Sequence, residues 1–197
     1  MFIQVLQGRC SRPDELRSFS EGWKTDLGPG AAGFLGGTFG VTQDGQFIGV
    51  VRFASAADAA ASSARPEQDA WAQEFAGYLD GPPSFTDYED VSEFLDGGSD
   101  AAGFVQVIRG TTPDVAAFKA LLADPGQLKE MRPEIIGGTF AVDAEGGYTE
   151  TVYFTDEAAA RGGEQQEPPA EVRETLEKVL AGASFFDLHD PWFESEG

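Results

Sequence analysis

Apolar residues recur along the chain with two different spacings, and these spacings predict where strands and helices lie. Phe2–Gln7 is a short run rich in strand-forming residues. Leu16, Phe19 and Trp23 follow at the i, i+3, i+7 spacing of a single helix face. Pro13 precedes them at a position where a helix tolerates proline. The chain is therefore predicted to begin with a strand followed by a helix.

The next apolar stretches predict a hairpin, a helix and a last strand. Gly36–Thr42 and Gln46–Phe53 are predicted strands, and Asp44-Gly45 between them is a strong hairpin-turn signal. After an Ala/Ser-rich stretch, Trp71, Phe75 and Leu79 recur every four residues, which is typical of one helix face. Ser84–Glu89 is the last predicted strand. The predicted order is β-α-β-β-α-β, which is that of the ferredoxin-like unit.

The same pattern occurs twice. The tetrapeptide Gly-Gly-Thr-Phe occupies Gly36–Phe39 and again Gly137–Phe140. Four further blocks recur in the same order: FIQVLQG with FVQVIRG, RPDELRSF with TPDVAAF, VVRF with TVYF, and YLDGPPSFTDYED with VLAGASFFDLHD. One tetrapeptide could match by chance, but five collinear blocks indicate an internal duplication. We therefore predict repeat 1 over residues 1–95, a linker over 96–102 and repeat 2 over 103–197.

Each repeat has both helices on one face of its sheet, so the other face must be buried against something else. A second copy of the same unit, joined by a short linker, can cover it. The predicted fold is thus α+β, with two ferredoxin-like βαββαβ repeats packed sheet to sheet as an intrachain pseudo-dimeric barrel. In element order and duplication the chain resembles the dimeric α+β barrel superfamily, which includes the antibiotic-biosynthesis monooxygenase-like domains. The resemblance spans nearly the whole chain and implies the fold more than an activity.

Strand alternation predicts which side chains line the enclosed lumen of such a barrel. Val51 and Phe53, like Val152 and Phe154, are two residues apart and therefore point to the same face of their strand. Because they are apolar, they are assigned to the helix-covered core. The residues on the opposite face of these strands, together with the two glutamines of the first strands, are predicted to face a ligand-binding lumen. They are Gln4, Thr38, Arg52, Gln106, Thr139, Thr151 and Tyr153. Arg52 would bind an acidic or enolate ligand, or else pair with a nearby carboxylate. Trp71 could line this pocket or pack in the core.

Composition limits the chemistry. The net charge is −21, and the acidic excess is spread over both repeats. Such a field disfavours nucleic acid and anionic membranes as partners. Cys10 is the one cysteine, which fits a reducing cytoplasm, and no long apolar stretch predicts a membrane span. No Cys/His set has zinc spacing, so no metal site is predicted. Asp187 and His189 could begin a metal site, but a solvated edge strand explains them better.

The resemblance leaves two functions open besides a purely structural duplicate with a filled barrel, and no cofactor is predicted. The superfamily's haem-degrading members use asparagine with tryptophan and histidine. This chain has no asparagine, so haem degradation is not expected. One prediction is a small-molecule-binding or accessory protein without chemistry of its own. The alternative is a cofactor-independent monooxygenase-like enzyme acting on an aromatic or polyketide-like substrate in the lumen. No catalytic residue is identified, and the fused repeats predict a monomer.

Overall fold

The computed structural model describes residues 1–195, and the chain divides into two compact units. Unit 1 consists of Met1–Glu89 together with the segment that begins at Asp190. Unit 2 consists of Asp90–His189. These boundaries differ from those of the predicted repeats. The end of repeat 1 belongs to unit 2, and the end of repeat 2 belongs to unit 1. No helix among the described residues is both long and apolar enough to cross a membrane.

Within residues 1–195, unit 1 contains five strands and four α-helices. Its strands are β1 (Phe2–Arg9), β2 (Phe34–Val41), β3 (Gln46–Phe53), β4 (Ser84–Tyr88) and β10 (Trp192–Ser195). Its helices are α1 (Pro13–Ser20), α2 (Trp23–Asp26), α3 (Ala56–Ser63) and α4 (Pro66–Ala76), with a 3₁₀ turn at Gly28–Gly30. The predicted strand–helix order is confirmed, and the Ala/Ser-rich stretch forms the regular helix α3.

Unit 2 repeats this arrangement. Its strands are β5 (Asp90–Leu95), β6 (Phe104–Thr111), β7 (Ile135–Val142), β8 (Gly147–Phe154) and β9 (Ser184–Leu188). Its helices are α5 (Val115–Leu122), α6 (Pro125–Met131), α7 (Glu157–Glu164) and α8 (Ala170–Val179). The α+β class and the two antiparallel ferredoxin-like sheets are therefore confirmed, whereas the sheet-to-sheet packing of the repeats stays a prediction.

Each sheet contains a strand that the sequence patterns did not predict. The strand orders are β10-β2-β3-β1-β4 in unit 1 and β5-β7-β8-β6-β9 in unit 2. Strand β5 comes from the end of repeat 1 but pairs antiparallel with β7 of repeat 2. Strand β10 comes from the end of repeat 2 but pairs with β2 of repeat 1. The two repeats thus exchange their last strands.

One large apolar side chain anchors each exchanged strand. Phe94 on β5 lies in the apolar core of unit 2 and is 3% exposed. Trp192 on β10 lies in a core of unit 1, where its ring centroid is 6.1 Å from that of Phe39. These two buried rings explain why β5 and β10, which also contain charged residues, stay paired at the edges of their sheets.

The repeated Gly-Gly pair makes room for aromatic rings. A Cβ atom at Gly138 would lie 1.9 Å from a ring atom of Phe94, which real side chains cannot tolerate. A Cβ atom at the matching Gly37 would lie 2.5 Å from the ring of Phe39. The second glycine of the Gly-Gly-Thr-Phe motif therefore permits a close approach between backbone and ring in both units.

The register between strands decides which residues share a face, because directly opposed residues point to the same side of a sheet. Phe53 is opposite Phe2, and Val51 is opposite Gln4. In unit 2 Val152 and Phe154 cluster with Phe118 and Leu122 of helix α5, as predicted for the helix-covered core. The helices therefore cover the face that carries Phe53 in unit 1 and Phe154 in unit 2.

Candidate functional site

A cavity of about 580 Å³ lies between the helix-covered face of the unit 2 sheet and its four helices. Most of its wall is apolar and comes from helices α5, α6 and α8 and from strands β6 and β8. The apolar residues of this wall include Ile108, Phe118, Leu121, Leu122, Leu128, Met131, Ile135, Val152, Phe154, Val172, Leu176 and Leu180. This volume falls within the usual range for small-molecule sites.

Glu150 is the acidic residue that distinguishes this cavity. It lies on β8 between its strand partners Ile108 and Phe140, and it is 6% exposed. Within residues 1–195 its carboxyl has no hydrogen bond, and its oxygens are not among the atoms that are fully enclosed without a partner. Burial raises the pKa of Glu150 to about 8, against a smaller opposing effect of Arg132. Glu150 is therefore mostly a neutral carboxylic acid at pH 7.

Arg132 lines the same cavity, but its charge is already compensated. Its Nε donates a short hydrogen bond to Oε1 of Glu134, which is itself buried. Its Nη2 also donates to the backbone oxygen of Ala160 at 3.5 Å. The guanidinium lies 5.8 Å from the ring centroid of Phe154. Arg132 is thus a partnered cation and leaves the Glu150 carboxyl without a salt bridge.

A network of charged side chains forms one edge of the cavity. Arg161 on α7 donates to Asp187 on β9 and, at 3.0 Å, to Glu164. These carboxylates raise the pKa of Arg161, with the Asp187 hydrogen bond as the largest cause. Gln106 Nε2 donates to Asp187 Oδ1 at 2.9 Å. Nδ1 of His189 lies 2.8 Å from Oε2 of Glu157, which is also on α7. Asp187 and His189 therefore both have partners on α7.

Unit 1 contains a related but chemically different cavity of about 330 Å³. Aromatic rings dominate its wall: Trp23, Phe34, Phe39, Phe53, Trp71, Phe75 and Phe85. Gly49 is opposite Phe39 at the position that Glu150 occupies opposite Phe140. The buried acid of this cavity is Glu194, which β10 brings from the end of the chain. The two cavities are therefore not copies of one another.

The predicted ligand-binding residues do not all lie on one face. Ile3 is opposite Arg52 and Val105 is opposite Tyr153, so the two glutamines lie on the reverse, helix-covered face. The assignment of Gln4 and Gln106 to the face of Arg52 and Tyr153 was therefore wrong. Strands β1 and β6 have apolar residues on both faces, so their sequences could not show which residues point toward the helices.

The other five predicted residues share the face away from the helices and are buried. They are Thr38 and Arg52 in unit 1 and Thr139, Thr151 and Tyr153 in unit 2. Thr139 and Thr151 are opposite each other, and neither hydroxyl has a hydrogen-bond partner within the described chain. Arg52 Nε is likewise buried without an acceptor in residues 1–195. Their ligand-binding role stays a prediction, whereas Gln106 contributes to the unit 2 cavity and Gln4 to that of unit 1.

Two other residues singled out from the sequence have structural surroundings. Trp71 both lines the unit 1 cavity and stacks on Phe19, with ring centroids 5.2 Å apart. Cys10 is buried, and burial raises the pKa of its thiol, which makes it a poor nucleophile at neutral pH. Glu150 was missed in the sequence analysis. The signal was available, because Glu150 shares the parity of Val152 and Phe154, which were assigned to the core.

No family model matches the chain, and no curated protein matches its sequence. Solved structures do match over its full length. A proposed monooxygenase from Fusobacterium nucleatum has a TM-score of 0.75 at 10% identity, covering 100% of this chain and 94% of that one. A proposed monooxygenase from Lactobacillus acidophilus has a TM-score of 0.72 at 11% identity, covering 100% and 96%.

An anthrone oxidase-like protein has a TM-score of 0.67 at 15% identity, covering 100% of this chain and 93% of that one. Likeness at such low identity establishes the fold alone. The chain has the ferredoxin-like fold of the antibiotic-biosynthesis monooxygenase-like proteins, present as a tandem duplication.

Proposed function

We propose that this protein binds a small organic molecule in the unit 2 cavity. The observation that carries the proposal is the Glu150 carboxyl, which is buried in a largely apolar cavity without a hydrogen-bond partner within the described residues. This carboxyl is a polar group on the wall of an apolar cavity and largely removed from bulk water, and such a group often orients a ligand. A bound molecule would supply the missing partner.

The shape and polarity of the cavity agree with this proposal. Ligand sites are mostly apolar concave spaces in which a few polar groups orient the bound molecule. Here the apolar wall would contact the body of the ligand, while Glu150 and Gln106 offer polar atoms near one side. Binding without chemistry is the simplest function that these features support.

A cavity-filling substitution tests the proposal. We expect wild-type protein to bind the uncharged fluorescent dye Nile red, with a blue shift and an increase in emission. Leu176→Trp puts a larger side chain into the cavity from helix α8 and should weaken dye binding several-fold, because the indole ring takes up space along the apolar wall.

The matched control is Glu174→Trp on the exposed side of the same helix. It should bind the dye as the wild type does. Equal dye binding by the two tryptophan variants would contradict the proposal, because the dye would then occupy some other surface.

A second candidate function is a cofactor-independent, monooxygenase-like oxidation of an aromatic or polyketide-like substrate. Two observations favour it: the full-length likeness to proteins named as monooxygenases or anthrone oxidase-like, and a buried acid that can exchange a proton with a bound molecule. The substrate itself would be the reductant. For an anthrone, a CH₂ group and O₂ would yield the quinone carbonyl and one water molecule.

Anthrone oxidation tests this second function. If it holds, wild-type protein should form anthraquinone with matching O₂ uptake at about ten times the protein-free rate or more, and Glu150→Gln should lose most of that gain. A rate equal to the protein-free background, in protein that binds Nile red, would argue for binding without this chemistry.

A further inference from the structure

The unit 2 cavity contains more acidic than basic side chains. Its cations are Arg132 and Arg161. Its acidic residues are Glu150, Glu164, Glu167 and Asp187. Both arginines already have carboxylate partners, Arg132 with Glu134 and Arg161 with Glu157, Glu164 and Asp187. Within residues 1–195, no basic side chain is thus left to neutralise Glu150.

The remaining charged and titratable groups near Glu150 do not change this balance. Glu167 pairs with Arg173 at 2.5 Å. The Tyr148 hydroxyl donates to the backbone oxygen of Val179 at 2.9 Å, and burial raises the pKa of Tyr148 to about 12. Tyr148 therefore stays neutral at physiological pH and is already engaged as a donor.

A carboxyl group in these surroundings favours a cationic partner with an apolar body. An ammonium group would neutralise the carboxylate and donate hydrogen bonds to it, while the rest of the ligand would contact the apolar wall. An alcohol could form only a neutral hydrogen bond, and an anionic ligand would meet the surplus of carboxylates. The net charge of −21 also attracts cations toward the protein as a whole.

We infer, on the basis of the small-molecule binding proposed above, that the unit 2 cavity selects apolar amines and binds their ammonium group through the Glu150 carboxylate. Unit 1 has Gly49 at the matching strand position, and the buried acid of its cavity is Glu194 on β10 instead. The inference therefore concerns the Glu150 site of unit 2.

Binding of an amine by Glu150 would be coupled to proton release. Burial keeps Glu150 mostly protonated below a pKa of about 8, whereas an alkylammonium group, like that of lysine, keeps its proton up to about pH 10. Glu150 must then lose its proton when the ammonium binds. Affinity for the amine should rise roughly tenfold per pH unit below pH 7, because the carboxylate fraction rises by that factor.

Three probes with the same apolar body test the inference by isothermal titration calorimetry: phenylbutylamine, phenylbutanol and phenylbutyrate. At pH 8 the wild type should bind the amine about tenfold or more tightly than the alcohol, and the carboxylate most weakly. Titrations at pH 7 in two buffers with different ionisation enthalpies should show release of close to one proton for the amine and none for the alcohol.

Glu150→Gln should remove the preference for the amine over the alcohol. Glu150→Leu is a second variant that removes the charge, and Glu174→Gln on the exposed side of α8 is the control that should retain wild-type selectivity. If both Glu150 variants failed to fold, the pH dependence of the wild type alone would still decide the question.

Equal affinity of the wild type for amine and alcohol, or amine binding without proton release, would overturn the inference. In that case continued binding of Nile red would leave the small-molecule site standing. Absence of binding by all three probes and by the dye would overturn both proposals.

Discussion

Replacing Glu150 by glutamine should stabilise the protein increasingly as the pH rises, by about 3 kcal/mol more at pH 8 than at pH 5. Burial raises the pKa of Glu150 to about 8 in the folded protein, from the ordinary value of 4.5. Above pH 4.5 the unfolded chain therefore loses this proton while the folded protein keeps it, and the free energy of unfolding falls until the pH passes the folded pKa. Glutamine does not titrate, so the variant escapes this loss.

Urea unfolding of wild type and Glu150→Gln at several pH values from 5 to 9 measures the effect. Glu174→Gln is the matched control, because its side chain is exposed and its curve should run parallel to that of the wild type. Parallel curves for Glu150→Gln as well would show that Glu150 titrates normally, and the buried neutral acid would then be refuted.

Truncation of Phe94 to alanine should destabilise the protein by about 3–5 kcal/mol, the usual cost of removing a buried phenylalanine ring. The ring is 3% exposed, belongs to the core of unit 2 and lies against Gly138. Its removal leaves a cavity at the point where the exchanged strand β5 joins the sheet. Trp192→Ala should have a similar effect in unit 1, because Trp192 holds β10 in the same way.

Phe85→Ala is the comparison for these variants, because Phe85 lies on edge strand β4 and is 57% exposed. Its cost should stay below about 1 kcal/mol, as for other substitutions of exposed residues. A loss for Phe94→Ala no larger than that of Phe85→Ala would mean that β5 is not held in the unit 2 sheet by this ring.

Much of the fold could be predicted from the sequence because local rules act on contiguous residues. The hairpin turn at Asp44-Gly45 and the proline at the start of helix α1 need no tertiary information. The recurrence of five collinear blocks likewise showed that the second half has the elements of the first. The candidate site was predicted less well, because a cavity depends on residues far apart in the chain.

The faces on which Gln4 and Gln106 lie could not be predicted from local patterns. Alternation in a strand separates its residues into two sets, but only the pairing register shows which set faces the helices. Strand β1 has apolar residues in both sets, so its own pattern does not decide the question. Its register opposite β3 placed Ile3 with Arg52 and left Gln4 under the helices.

The sequence by itself determined the duplication, the order of the main elements and the faces of the central hairpins, because these follow from short-range spacing. Only the tertiary structure decided the exchange of β5 and β10, since short edge strands with charged residues become stable by pairing with a sheet formed elsewhere in the chain. It also decided the surroundings of Glu150, because the helices packed on strand β8 remove this acid from water and bring it to the cavity wall.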